Sequence, residues 1–374
     1  MNSTKKKVLS VMVITFLLAV IGEVAYFATM HATPAAPPQQ PDNLGRFDPR
    51  LLIYEQDGEG IATGFKEPRG LCVDQAGRLL VVGDQGIRVF GLSGPDDPTS
   101  PVGLDKKFVR QIDLPAQPRC ISQADDGKIY VGMTDYVIVM DAAFNTLATW
   151  DKLDGKSVIT SIAPRAGDIF VADAGRRVVH RYDTSGKLIG TIGRRAGGGG
   201  QVFVVPSPYF DVAVAPDGLL RIAETGRHQV ETYTFDGKSV SAWGRPGTGI
   251  EDFTGCCNPV NFAILPGGEF VTAEKGLTRV KIYDPDGKFV GVVAGPDSFA
   301  RHDTICTANS GNCQTGGLDV AVDRQGRVFV MDPYTADVRI FVRKPAATTS
   351  PAATRPTGPA ETRPASAQAA KDTP

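Results

Sequence analysis

Two cysteines stand side by side at Cys256 and Cys257, and two more follow at Cys306 and Cys313, out of six in the chain. Four thiols in two loops permit two chemistries. In an oxidising compartment they pair as disulfides. Adjacent cysteines rarely bond to one another without strain, so the economical pairing joins each of Cys256 and Cys257 to one of Cys306 and Cys313. Deprotonated, the same four would ligate zinc or an iron–sulfur cluster, although Cys-Cys followed by Cys-x6-Cys matches no common ligand spacing. Cys72 and Cys120 fall inside apolar segments and read as small buried hydrophobes.

A second set carries oxygen. Thr160, Asp211, Asn261 and Asp319 each stand seven residues before a turn glycine (Gly167, Gly218, Gly268, Gly326), and Gly70 and Cys120 occupy the same position before Gly77 and Gly127. The residue after each is usually apolar, so on a strand the polar set points away from the packed set. Asp211, Asn261 and Asp319 come from consecutive segments and could offer a hard oxygen site to calcium; the alternative is a water-filled polar channel. The acids Asp84, Asp135, Asp173, Glu224, Glu274 and Asp332 recur once per segment, which points to turn acceptors for local backbone N–H groups rather than to a metal. No nucleophile elbow, phosphate loop or dinucleotide fingerprint is present.

The elements that must position these residues repeat. Six segments share a strand, a glycine turn, a second strand ending near an acid, and a third strand, as in "DVAVAPDGLLRIAETGRHQVETY" from Asp211 and "NFAILPGGEFVTAEKGLTRVKIY" from Asn261. Their turn glycines recur 40 to 58 residues apart, and "DTSGKLIGTIG", "TFDGKSVSAWG" and "DPDGKFVGVVAG" add a fourth strand. Four antiparallel strands repeated six times specify an all-β, six-bladed propeller. The last repeat lacks its fourth strand, while "PRLLIYEQ" at 49–56 is an apolar strand with no repeat of its own. Pairing the two closes the ring and removes its open edges.

Pro68-x-Gly70-Leu71, "VADAGRRVVHRYDTSGKLIGTIG" and "AEKGLTRVKIYDPDGKFVGVVAG" resemble NHL repeats, and the resemblance covers about residues 49 to 343. Blade two departs most, since "MTDYVIVMDAAFNTLATW" lacks the glycine-rich turns. The resemblance implies the propeller fold and leaves function open, because that architecture hosts scaffolds, lyases, lactonases and receptor ectodomains alike. Propeller lyases of the peptide-amidating kind hold zinc with several channel histidines. Here His180 and His228 do not fall at equivalent positions, while His31 lies in a spacer and His302 in a loop.

The ends lie outside that fold. Lys5, Lys6 and Lys7 precede an apolar run at 8–30, long enough to cross a bilayer and poorly provided with a cleavage site. The expected domains are a basic tip and signal-anchor at 1–31, a Pro-rich spacer at 32–48, the propeller at 49–344, and a disordered Ala/Pro/Thr-rich tail at 345–374. The lysines put the propeller on the extracytoplasmic side of a bacterial-type cytoplasmic membrane, single-pass, with 8–30 as the membrane contact; a cleaved signal peptide is the alternative. With 40 Lys and Arg against 41 Asp and Glu, no basic surface marks a nucleic-acid partner. The function expected is a binding or scaffold module for a protein or glycan. The alternatives are a metal-assisted lyase or lactonase using the channel acids, or a metal- or iron–sulfur-binding redox accessory protein using the cysteines.

Overall fold

The computed structural model describes residues 46–93, 104–193, 203–299 and 316–345. They form six antiparallel sheets arranged as the blades of a propeller. The inner strand of each lies at Pro68–Val73, Cys120–Gln123, Ile159–Arg165, Val212–Val214, Asn261–Ile264 and Asp319–Val322, in blades one to six. Among the described residues no helix is long and apolar enough to cross a membrane. The apolar run at 8–30, the spacer up to residue 45 and nearly all of the tail lie outside them.

The second strands are buried on both faces and are mostly apolar, with Arg221 and Thr272 as polar interruptions in blades four and five. In Leu79–Gly83 the alternation sorts residues between neighbours: Leu79 and Val81 pack with Phe329 and Met331 of blade six, while Leu80 and Val82 pack with Ile121 and Val131 of blade two. Six hydrophobic clusters result, each shared by two adjacent blades, including blades six and one. The core is therefore a ring of interfaces, and each blade buries its faces only against its neighbours.

Ring closure follows the expected route with one change. Tyr54–Gln56 pairs antiparallel with Asp337–Arg343, with Tyr54 opposite Arg343 and Gln56 opposite Phe341. A second short strand, Ile61–Ala62, adds to the same neighbour. Pro49–Leu51 is a 3-10 turn rather than strand: Pro49 sits at its first position, and Asp48 caps it by accepting the Arg50 N–H at 2.9 Å.

Blade two keeps its outer turn without glycine. Phe144 takes the left-handed position (φ 69°) that Gly186 and Gly287 fill in blades three and five. Asp141 accepts the N–H groups of Ala143 and Asn145, the same side-chain brace that Asp183 gives Ser185 and Lys187. The ring of Phe144 is buried beneath the guanidinium groups of Arg78 and Arg110.

Candidate functional site at the channel mouth

The polar residues at the head of the inner strands of blades three to six line the central cavity, and each reaches across a blade boundary. Thr160 Oγ1 donates to the Phe210 carbonyl at 2.6 Å, and Asp211 Oδ2 accepts the Phe262 N–H at 2.8 Å. Asn261 Nδ2 donates to the Leu318 carbonyl at 2.7 Å, and Asp319 Oδ2 accepts the Leu71 N–H at 3.0 Å. At the boundary of blades two and three Arg119 Nε donates to the Ile159 carbonyl at 3.0 Å. The set expected to face a cation thus also stitches blades three through six back to blade one. Among the described residues no group of three His, Cys, Asp or Glu side chains is disposed as a metal centre.

Two of these groups are electrostatically unusual. Burial pushes the Asp211 carboxyl up to about 6, against the hydrogen bonds from Ser161, Phe262 and Val212. Burial, and after it the charge of Asp211, push Asp319 up to about 8. Asp319 is therefore largely protonated near neutral pH.

Above them opens a cavity of about 530 Å³, whose lining includes Arg69, Arg119, Tyr209, Asp211, Asp319 and Tyr334. Arg69 is exposed and pairs with Glu67 at 2.7 Å; Gln117 braces the same Glu67 oxygen at 3.0 Å. Arg119 is half-buried, and burial followed by the charge of Arg69 pushes its guanidinium below the ordinary range. Two cationic side chains therefore line the cavity within electrostatic reach of one another, Arg69 in its pair with Glu67. Tyr209 is fixed by its hydroxyl, which accepts the Gly317 N–H at 2.9 Å. Cys72 and Cys120 also line this cavity, where burial pushes both thiols up, Cys120 to about 12. Cys120 is buried, and Cys72 is half-buried but packs against the apolar cluster of blades one and two, close to the reading of both as small hydrophobes.

The second-strand acids are structural, as their recurrence implies, but most act at longer range than a local turn. Asp84 accepts the N–H groups of Lys66 and Glu67, Asp173 that of Val158, Glu224 that of Val204 through both oxygens, and Glu274 that of Thr254. Each clamps the loop that enters its own blade. Asp332 keeps the local role, accepting the Tyr334 N–H. At Asp135 it is the backbone carbonyl that accepts, from Leu153.

Neither described histidine lines the cavity. His180 is buried with Nε2 3.4 Å from Asp173 Oδ2, and His228 Nε2 lies 2.9 Å from the Gly255 carbonyl. Cys256 and Cys257 lie in the loop entering blade five, with sulfurs 3.1 Å apart. Their expected partners Cys306 and Cys313, like His302, lie outside the described residues. The arginines at the mouth were legible but unread: Pro68-Arg69 and Pro118-Arg119 place the same dipeptide just before the channel position in blades one and two.

Solved structures of similar shape include virginiamycin B lyase from Staphylococcus aureus, 11% identical with a TM-score of 0.51, covering 77% of this chain and 99% of that one. A gluconolactonase from Xanthomonas campestris is 16% identical with a TM-score of 0.51, covering 84% and 99%. A Bacteroides thetaiotaomicron protein of unknown function is 14% identical with a TM-score of 0.52, covering 77% and 73%. At these identities the likeness shows the fold alone. No family model matches the sequence and no curated protein is similar to it, so the resemblance to NHL repeats stands as compatible with the observed fold.

Proposed function

We propose that this chain is a membrane-anchored, extracytoplasmic binding propeller whose channel mouth takes up a carboxylate-bearing group of a glycan or of a protein partner. The observation that carries this reading is the presence of Arg69 and Arg119 in the lining of a cavity that also presents Tyr209 and Tyr334. Arg119 commits Nε to Ile159, and among the described residues its terminal nitrogens make no further hydrogen bond. A carboxylate between the arginines would relieve their repulsion and accept a bidentate pair of N–H bonds. Tyrosine rings add apolar area with a polar tip, which suits a sugar or an acidic side chain. Anchoring rests on Lys5, Lys6 and Lys7 ahead of the apolar run at 8–30.

One observation favours a second reading, that of a lyase or lactonase. Asp319, at about 8 and facing the cavity, has the protonation state of a general acid at neutral pH. Calorimetry with uronic-acid oligomers, neutral oligomers of the same length and acidic peptides separates these readings. Binding of an acidic probe, weakened at least about tenfold by Arg119→Met at an unchanged melting temperature, supports the binding module. Equal affinity for neutral and acidic probes sinks it, and turnover of a bound probe that Asp319→Asn abolishes favours the enzyme. Protease added to intact spheroplasts should digest the propeller, and full protection there would refute the topology.

A further inference from the structure

The adjacent cysteines sit in a built environment that neither the channel nor the binding reading uses. Cys257 is buried, 1% exposed, and Cys256 is half-buried. Their sulfurs are 3.1 Å apart, about 1 Å longer than a disulfide bond. Ser207 Oγ lies 3.4 Å from the Cys257 sulfur, and Lys275 Nζ donates to that hydroxyl at 2.9 Å. Lys275 itself is only 2% exposed, hydrogen-bonds Cys257, and holds its ammonium 4.5 Å over the Tyr209 ring. Asn258 fixes the arrangement by accepting the Lys275 N–H at 2.9 Å and donating to the Lys275 carbonyl at 3.1 Å.

Lys275 thus stands beside the Cys257 sulfur, where a cation stabilises the negative charge that develops during thiol–disulfide exchange. Cys256, the more exposed of the two, is the sulfur an incoming reagent can reach.

We propose that Cys256 and Cys257 are a two-thiol redox site, which closes to a disulfide between neighbours by exchange with a disulfide-bearing donor. The Cys256 thiolate attacks one sulfur of the donor, R–S–S–R. That bond breaks, and the first R–S⁻ leaves and takes up the proton Cys256 gave. The Cys257 thiolate, held beside Lys275, then attacks the Cys256 sulfur and expels the second R–S⁻, which takes up the proton of Cys257. Two thiols are oxidised to one disulfide while the donor disulfide is reduced to two thiols; an external dithiol reverses the sequence. Tyr209 joins the site to the cavity, since one ring face covers Lys275 and the same side chain lines the mouth.

Burial and the neighbouring Cys257 push the Cys256 thiol up to about 11, so closure should accelerate with pH. The titratable groups facing it are Cys257 and Lys275, with His228 held on the Gly255 carbonyl and Glu274 preceding Lys275 on the flanks.

The test uses the full chain, first reduced and then incubated with oxidised glutathione, with remaining thiols alkylated and peptides mapped without reduction. The expected peptide contains both Cys256 and Cys257, carries no alkyl group and is two hydrogens lighter than its dithiol form. Lys275→Met should slow closure roughly tenfold, and Cys257→Ser should trap glutathione on Cys256. Should these variants fail to fold, phenylarsine oxide bound across the two thiols of the unsubstituted protein should block closure. Alkylation of both thiols after oxidant treatment, or their recovery joined to peptides holding Cys306 and Cys313, overturns the proposal.

Discussion

Asp319 and Leu71 are 248 residues apart in sequence, yet the Leu71 N–H donates to Asp319 Oδ2 at 3.0 Å. This bond lies at the inner seam between the last blade and the first, while Tyr54–Gln56 closes the outer edge of the same blade. The ring is thus locked at both radii by contacts of very long range. Such contacts close a large loop of chain, so their loss weakens the whole ring rather than one blade.

Asp319→Ala should destabilise the propeller by about 1–3 kcal/mol, the cost of a buried N–H left without its acceptor. The group also sets a pH dependence. Its folded value, about 8, lies above its ordinary 3.8, so folding favours the protonated form. Its contribution is complete below about pH 4 and is lost as pH rises through about 8. The melting temperature should therefore fall between pH 5 and pH 8.5, and Asp319→Asn should flatten that slope. A slope unchanged in the variant would mean other groups set it.

Calcium tests the other role of this set. Asp211 accepts the Val212 N–H at 2.8 Å through one oxygen and the Phe262 N–H at 2.8 Å through the other. A cation would have to compete with donors already in place. Millimolar calcium should leave the melting temperature of the unsubstituted chain within error of its value in chelator. A rise that Asp211→Asn removes would instead identify Asp211, Asn261 and Asp319 as cation ligands.

The seven-residue spacing between channel position and turn glycine made Thr160, Asp211, Asn261 and Asp319 legible as one ring before any coordinates. Spacing along one blade says nothing of the neighbouring blade, so their bonds to Phe210, Phe262, Leu318 and Leu71 were not legible. The same limit applies to the acids. Glu224 and Glu274 were recognisable as backbone acceptors, but the N–H groups they take, on Val204 and Thr254, belong to loops whose course depends on the ring closing. Ser207, Tyr209 and Lys275 meet from two loops 68 residues apart at their nearest contact, and no local pattern marks that meeting.

Phe144 offers a test of strain against burial. Its left-handed backbone costs about 1–2 kcal/mol that glycine would recover. The ring is 6% exposed and packs in the interface of blades one and two beneath Arg78 and Arg110. Removing such a ring costs about 3–5 kcal/mol. Phe144→Gly should thus destabilise by roughly 1–4 kcal/mol, the difference between those two ranges, as read by denaturant midpoints at constant slope. A stabilised variant would show that the turn rather than the core decides this position.

Glu274 anchors the loop that carries the cysteines. Burial would raise its carboxyl, but Lys281 and Arg279, at 2.7 and 2.9 Å, outweigh burial and hold it below the ordinary range. Its oxygens also take the Thr254 N–H, two residues before Cys256. Glu274→Gln leaves two buried cations without their anion and should cost about 3–5 kcal/mol. Lys281 adds a signature of its own, because burial first of all lowers it from 10.5 to about 8. Folding therefore disfavours its charged form, and the chain gains stability as pH rises from about 8 towards 10.5, where the unfolded state binds more protons. Lys281→Met should abolish that gain. In Glu274→Gln, limited proteolysis should cut first at 245–257, because Glu274 holds the Thr254 N–H and the Arg279 and Lys281 groups that bind Thr254 and Asp252, which leaves Tyr283 on the Glu251 carbonyl as a remaining tie. First cleavage elsewhere would show that the loop is held by other contacts.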